Sequence, residues 1–158
     1  MKKKLILTVG NLMMGDDAAG PLLAQTIHQA PLESWDVLDG GAAPENCLFM
    51  IREMAPDQVL VVDAADMDLQ PGDIRLIDAN SLEDPFLITT HTLPLSYLVQ
   101  SLSEFVPRVD LLGIQPHVVA FGYPLSVDVK QAVAQVYEAL KSDDLDWQYL
   151  KEMEPCRP

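Results

Sequence analysis

Apolar residues along this chain fall into short, mostly apolar runs separated by segments with helical spacing. Residues 5–9, 59–62 and 109–114 are rich in Val, Ile and Leu, the pattern of strands covered on both faces. Residues 35–38 and 74–77 are weaker strand candidates. Between them, Leu22, Leu23 and Ile27 recur at helical spacing within 18–29, and Leu48, Ile51 and Met54 share one face of 44–54, which opens on Pro44. Leu95, Leu98 and Leu102 predict a helix over 95–105. Val129, Val133, Val136 and Leu140 predict another from Ser126 to about Lys141. Strands alternating with helices predict an α/β sandwich over a mostly parallel sheet. Sites in such folds gather where strands end at their carboxyl edge. The loops after Val9, after Val62 and before the 95–105 helix are therefore the ones to watch.

Composition narrows the picture without changing it. The 158 residues suit one domain, here 1–142, with an acidic, irregular appendage over 143–158. Hydrophobic residues at 49% and charged residues at 22% are ordinary for a globular chain. A formal net charge of −14 argues against nucleic acid and against anionic membrane, both of which call for clustered Lys and Arg. Lys2, Lys3 and Lys4 precede an apolar run too short for a signal sequence, and no run approaches the roughly 18 apolar residues of a membrane span. The expectation is a soluble cytoplasmic protein. No long apolar surface helix is left over, which favours a monomer. Cys47 and Cys156 form no CxxC pair and no zinc spacing, and read as plain thiols.

Four segments carry candidate chemistry. The first, Gly10-Asn11-Leu12-Met13-Met14-Gly15-Asp16-Asp17-Ala18-Ala19-Gly20, matches neither the dinucleotide fingerprint nor a P-loop, lacks Lys, and ends in two carboxylates that would repel phosphate. Asp16 and Asp17 read either as helix caps or as metal or catalytic groups. The second puts Asp63 at the end of the most hydrophobic strand, as a turn former or as a site residue, with Asp66 as a solvated loop residue. The third, Thr89-Thr90-His91-Thr92-Leu93-Pro94, puts His91 at an element boundary, either hydrogen-bonded within the structure or part of a site. His117 is the competing site histidine, and His28 reads as surface. The fourth, Asp39-Gly40-Gly41, is either a plain strand-to-helix turn or a place where glycines let another backbone approach. Two carboxylates and an imidazole suit a borderline divalent metal, or a base with an orienting group for hydrolysis. No Gly-x-Ser-x-Gly elbow exists and neither cysteine has a nucleophile's surroundings, which argues against a covalent hydrolase.

Taken in order, Gly10-Asn11, Asp16-Asp17-x-x-Gly20, Asp39-Gly40-Gly41, a buried strand ending in Asp63, and His91-Thr92-Leu93-Pro94-Leu95 resemble the hydrogenase maturation endopeptidases, most of all the hydrogenase 3 branch that serves formate hydrogenlyase. The resemblance spans about residues 4 to 142. It implies a three-layer αβα sandwich around a twisted five-stranded sheet. It implies that Asp17, Asp63 and His91 converge on one metal and carry the catalysis, and that Asp39, Gly40 and Gly41 hold the substrate backbone beside the cleft. Many relatives carry Glu where this chain has Asp17, so the carboxylate is kept on a shorter stem. The activity implied is that of an aspartic-type endopeptidase. It removes the C-terminal extension of a [NiFe]-hydrogenase large-subunit precursor, recognises nickel supplied by that precursor, and uses no organic cofactor. Three rival readings are a non-catalytic module that holds nickel or the large subunit, a metal-dependent amide hydrolase for a small substrate, and an α/β domain without activity.

Overall fold

A computed structural model describes residues 2–77, 88–89 and 95–142 of the chain. Among the described residues, six strands and four α-helices follow in the order β1 (Lys4–Thr8), α1 (Ala19–Gln29), β2 (Asp36–Asp39), α2 (Leu48–Met54), β3 (Gln58–Asp66), β4 (Ile74–Ile77), β5 (Ile88–Thr89), α3 (Leu95–Ser103), β6 (Arg108–Ile114) and α4 (Val127–Lys141). Short 3-10 turns at Gly15–Ala18 and Pro44–Cys47 lead into α1 and α2.

The main sheet has five strands in the order β2-β1-β3-β6-β4. The first four run parallel, and β4 closes the edge antiparallel to β6. The two residues of β5 pair antiparallel with Ala65 and Asp66 at the far end of β3.

Side-chain alternation along the strands divides the core in two. Ile6, Leu60, Val62, Leu112 and Ile114 pack with Leu23 and Ile27 of α1 and with Val129, Val133, Val136 and Leu140 of α4. Leu5, Leu7, Val59, Val61 and Leu111 face Ile51 of α2 and Leu95, Leu98 and Leu102 of α3. Two helices on each face make the αβα sandwich. The central strands β1 and β3 are almost wholly buried because both faces are covered.

The elements agree closely with the hydrophobic pattern, with two differences. The segment over 44–54 begins as a 3-10 turn and becomes α-helical only at Leu48. Strand β3 runs on past Val62 to Asp66, since β6 keeps pairing with it through Ala64 and β5 extends it. Asp63 therefore lies inside a strand rather than at its end. Residues 143–158, the acidic appendage of the sequence reading, lie outside the described residues. Among the described residues no helix is long and apolar enough to cross a membrane.

Candidate functional site at the carboxyl edge of the sheet

Three neighbouring parallel strands, β2, β1 and β3, carry or lead to the candidate aspartates: Asp39 ends β2, Asp17 follows β1 on the 3-10 turn, and Asp63 lies within β3. The end of β2 is joined by hydrogen bonds to β1 and to the loop after it. Asp39 ends β2 opposite Thr8, and its Oδ1 accepts from the Thr8 hydroxyl (3.2 Å) and from the Gly41 N–H (3.0 Å). The Gly40 N–H donates to the Thr8 carbonyl (2.7 Å) and the Gly10 N–H to the Gly41 carbonyl (2.9 Å). The Asp39-Gly40-Gly41 turn is thus stitched to the loop that follows β1. Gly41 has φ +58 with open space where a Cβ would stand, whereas Gly40 is crowded by Pro44, Leu7 and the Thr8 carbonyl. The turn geometry is present, and the backbone that approaches it closely is that of this chain's own β1 and the loop after it.

From β1 the chain turns sharply. The Val9 N–H still donates to the Val62 carbonyl of β3 (2.9 Å). Gly10 then adopts φ +148, and a Cβ there would fall 2.0 Å from the Asp17 carbonyl oxygen. Only glycine allows the turn to close this tightly. The Asp17 carboxylate folds back over the loop, its Oδ2 accepting from the Asn11 N–H (2.9 Å). Asn11 completes an Asx turn, its Oδ1 accepting from the Met13 N–H (2.9 Å).

The adjacent aspartates do different things. Asp16 is fully buried and faces the loop after β6. Its Oδ2 accepts from the His117 N–H (2.8 Å), the Val118 N–H (3.2 Å) and the Ser126 hydroxyl (2.9 Å), and its Oδ1 from the Ser126 N–H (2.6 Å). Neither aspartate caps a helix through its side chain. Asp16 is a clamp that ties the 117–126 loop to the start of α1. The sequence reading missed this role, because the partners lie over a hundred residues away. Ser126, the remaining partner, also caps α4, its Oγ accepting from the Val129 N–H (3.4 Å).

Asp63 sits in β3 with no solvent exposure, in register with Gly113 of β6 and one residue beyond the last Val62–Thr8 pairing with β1. Burying a carboxylate in a sheet core is costly unless it is partnered. Asp17 is 3% exposed, and the turn that carries it packs against β3. Asp17 thus sits on a turn packed against the strand that buries Asp63. Asp66 is exposed as expected, accepting from the Asp68 N–H and the Gln115 side chain. His28 and His117 are exposed, and His117 enters the Asp16 clamp only through its backbone. His91 lies outside the described residues. The two described residues before it, Ile88 and Thr89, pair with Asp66 and Ala65 of β3.

Among the described residues no cluster of three or more His, Cys, Asp or Glu stands ready to hold a metal ion. Cys47, half-buried at the start of α2, has its thiol pushed up by burial, with the Asp39 and Glu45 carboxylates adding to the effect. A thiol held protonated is a poor nucleophile.

The hydrogenase maturation protease (HycI) family matches residues 21–143, a span that takes in Asp39, Gly40, Gly41, Asp63 and the position of His91. The hydrogenase 3 maturation protease of Escherichia coli K12 is 50% identical over 137 residues, which cover 87% of this chain and 88% of that protein. A putative hydrogenase maturation protease of Methanocaldococcus jannaschii is 30% identical, with 82% and 80% covered. The solution structure of the E. coli endopeptidase HycI superposes with a TM-score of 0.82 at 50% identity, covering 88% of this chain and 89% of that one. A [NiFe] hydrogenase maturation protease from Thermococcus kodakarensis gives 0.78 at 26% identity, covering 89% and 90%. With this similarity running through almost the whole folded region, the chain belongs to the hydrogenase maturation protease family.

Proposed function

We propose that this chain is the endopeptidase that removes the C-terminal extension of a hydrogenase 3-type large-subunit precursor once nickel has been inserted. The observation that carries the reading is a buried Asp17 on a turn packed against β3, the strand in which Asp63 is buried. This lies beside a glycine turn with room for a substrate backbone at Gly41. His91, two positions after the Thr89 that pairs with Ala65 of β3, is the third member in this reading. In this proposal Asp17, Asp63 and His91 contact the nickel carried by the precursor, so the metal belongs to the substrate and the enzyme needs no organic cofactor. Two carboxylates and an imidazole are a weak donor set by themselves. They gain affinity only when the precursor contributes ligands, which makes cleavage conditional on loading. Peptide hydrolysis then needs a water activated beside the scissile carbonyl, and a carboxylate at this edge is suited to take its proton. Asp39, Gly40 and Gly41 align the extension beside the cleft. We place the enzyme in the cytoplasm, acting as a monomer.

The test is incubation of large-subunit precursor, with and without nickel, with wild-type protein and with His91→Ala, Asp17→Asn and Asp63→Asn. Shortening of only the nickel-loaded precursor, lost in His91→Ala, is the expected result. An aspartate variant that binds loaded precursor normally but leaves it uncut has lost a chemical role; one that fails to bind has lost a recognition role. Precursor that the wild type binds but never shortens would sink the endopeptidase reading in favour of a binding module.

A further inference from the structure

This chain is strongly acidic, with 24 Asp and Glu among 158 residues, yet 5–15 and 111–127 contain no Asp, Glu, Lys or Arg. Those two stretches meet. The Gly122 N–H donates to the Met13 carbonyl (2.9 Å), Gly15 lies against Val118 and Tyr123, and Asp16 clamps the second loop at His117, Val118 and Ser126. On the surface so formed, Leu12 (66%), Met13 (57%), Phe121 (72%) and Tyr123 (57%) stand exposed. Scattered single apolar residues need no explanation, but a contiguous, charge-free group held by hydrogen bonds on an otherwise acidic protein marks an interaction site. Its makeup of Met, Leu, Phe and Tyr with charge excluded matches the core of a protein–protein contact.

We infer that Leu12, Met13, Phe121 and Tyr123 form the docking surface for an apolar face of the large-subunit precursor next to its C-terminal extension. The inference rests on the endopeptidase reading above and adds where the folded part of the substrate sits. Continuity with the site picks the occupant. Met13 is four residues before Asp17 in the same loop, and the 117–126 loop is anchored by the neighbouring Asp16. A substrate whose scissile bond reaches Asp17 passes beside the loop that carries Leu12 and Met13. A precursor held there is bound by its folded body, while the short extension is presented to the carboxylates. The four side chains act on binding, not on the bond that is cut.

The experiment compares wild type with the double variant Met13→Ser/Phe121→Ser on nickel-loaded precursor. Cleavage is read as kcat and KM, and direct binding of the precursor is measured in parallel. The variant is expected to raise KM and the binding constant about tenfold with kcat within about twofold. Its melting temperature should be unchanged, because the replaced groups are exposed. Unchanged KM and binding would overturn the inference, even if the variant abolished a self-association of the wild type, since the patch would then serve a second copy. Should the wild type bind precursor without cutting it, the endopeptidase reading fails, and the binding comparison alone still decides the docking surface. Should the wild type neither bind nor cut, both fail.

Discussion

Replacing Asp16 and Asp17 one at a time separates two roles that sequence spacing cannot. In Asp16→Ala, three backbone N–H groups and one hydroxyl lose their acceptor. An orphaned buried donor costs about 1–3 kcal/mol. His117 is exposed and Ser126 half-buried, so water recovers part of this and the low end applies to each. The sum is about 3–5 kcal/mol, a large share of the ~5–15 kcal/mol by which domains are stable. At about 2–4 °C per kcal/mol for a chain of this size, the melting temperature should fall by roughly 10 °C. Asp16→Asn keeps one acceptor but turns an amide N–H toward one of the donors, so about half that loss is expected. Asp17→Asn retains an oxygen for the Asn11 N–H and should cost about 1 kcal/mol or less, while cutting precursor cleavage by about a hundredfold or more. Urea denaturation of the three variants, run beside the cleavage assay, reads both quantities. If Asp16→Ala stays within about 1 kcal/mol of wild type, the clamp does not hold the 117–126 loop. If Asp17→Asn is the more destabilised of the two Asn variants, the assignment of roles is reversed.

Two further outcomes follow from local geometry. Gly10→Ala would drive a Cβ into the Asp17 carbonyl and should destabilise by more than about 3 kcal/mol. Gly41→Ala meets open space and loses only about 1–2 kcal/mol for its left-handed backbone, a contrast that thermal melts of the pair will read; equal losses would mean the β1 turn relaxes. Cys47, in a Cys156→Ser background, should react with iodoacetamide more slowly than a free cysteine at pH 8. Burial and two carboxylates raise its pKa and so lower the thiolate fraction at a given pH. Asp39→Asn should speed the reaction, and a rate unchanged by that substitution would remove Asp39 as a cause. The raised thiol pKa also has a sign for stability. The folded state holds this proton more tightly than the unfolded chain, so the contribution is complete below the unfolded thiol pKa and is lost as pH rises through the folded value.

The hydrophobic pattern carried most of the fold because both faces of the sheet are covered. Strands buried on two sides leave runs of Val, Ile and Leu, and helices buried on one side leave a stripe. In α4 the stripe is Val129, Val133, Val136 and Leu140, all buried, behind a Ser126 cap. The pattern failed where a polar residue sits inside an element. Asp63 looked like a strand end because a charge usually stops a buried run, yet pairing with β6 carries the strand through it to Ala64 and β5 extends it to Asp66. The site was legible as a set of candidate residues after β1, β2 and within β3, of which Asp17 and Asp63 are both buried. What sequence could not give was the partner of each carboxylate, since Asp16 bonds to residues over a hundred positions away while Asp17 bonds to one six positions back.

A 3-10 turn explains how adjacent aspartates come to serve opposite sides of one loop. With about three residues per turn, successive side chains point about 120° apart. Within Gly15–Ala18, Asp16 is therefore directed to the loop after β6 and Asp17 to the loop after β1. An α-helical start would turn successive side chains by only about 100°. The clamp and the site are thus coupled through a single peptide unit. Asp16 fixes the loop that presents Phe121 and Tyr123, and the same turn fixes Asp17. Loosening the clamp should then disturb precursor docking and the position of the site together. Asp16→Asn is accordingly expected to raise KM and lower kcat at temperatures where the protein remains folded, whereas Met13→Ser/Phe121→Ser should raise KM alone. If Asp16→Asn changed KM without touching kcat, the turn would be transmitting position to the docking loop only, and Asp17 would be held in place by the Gly10–Asn11 side of the loop.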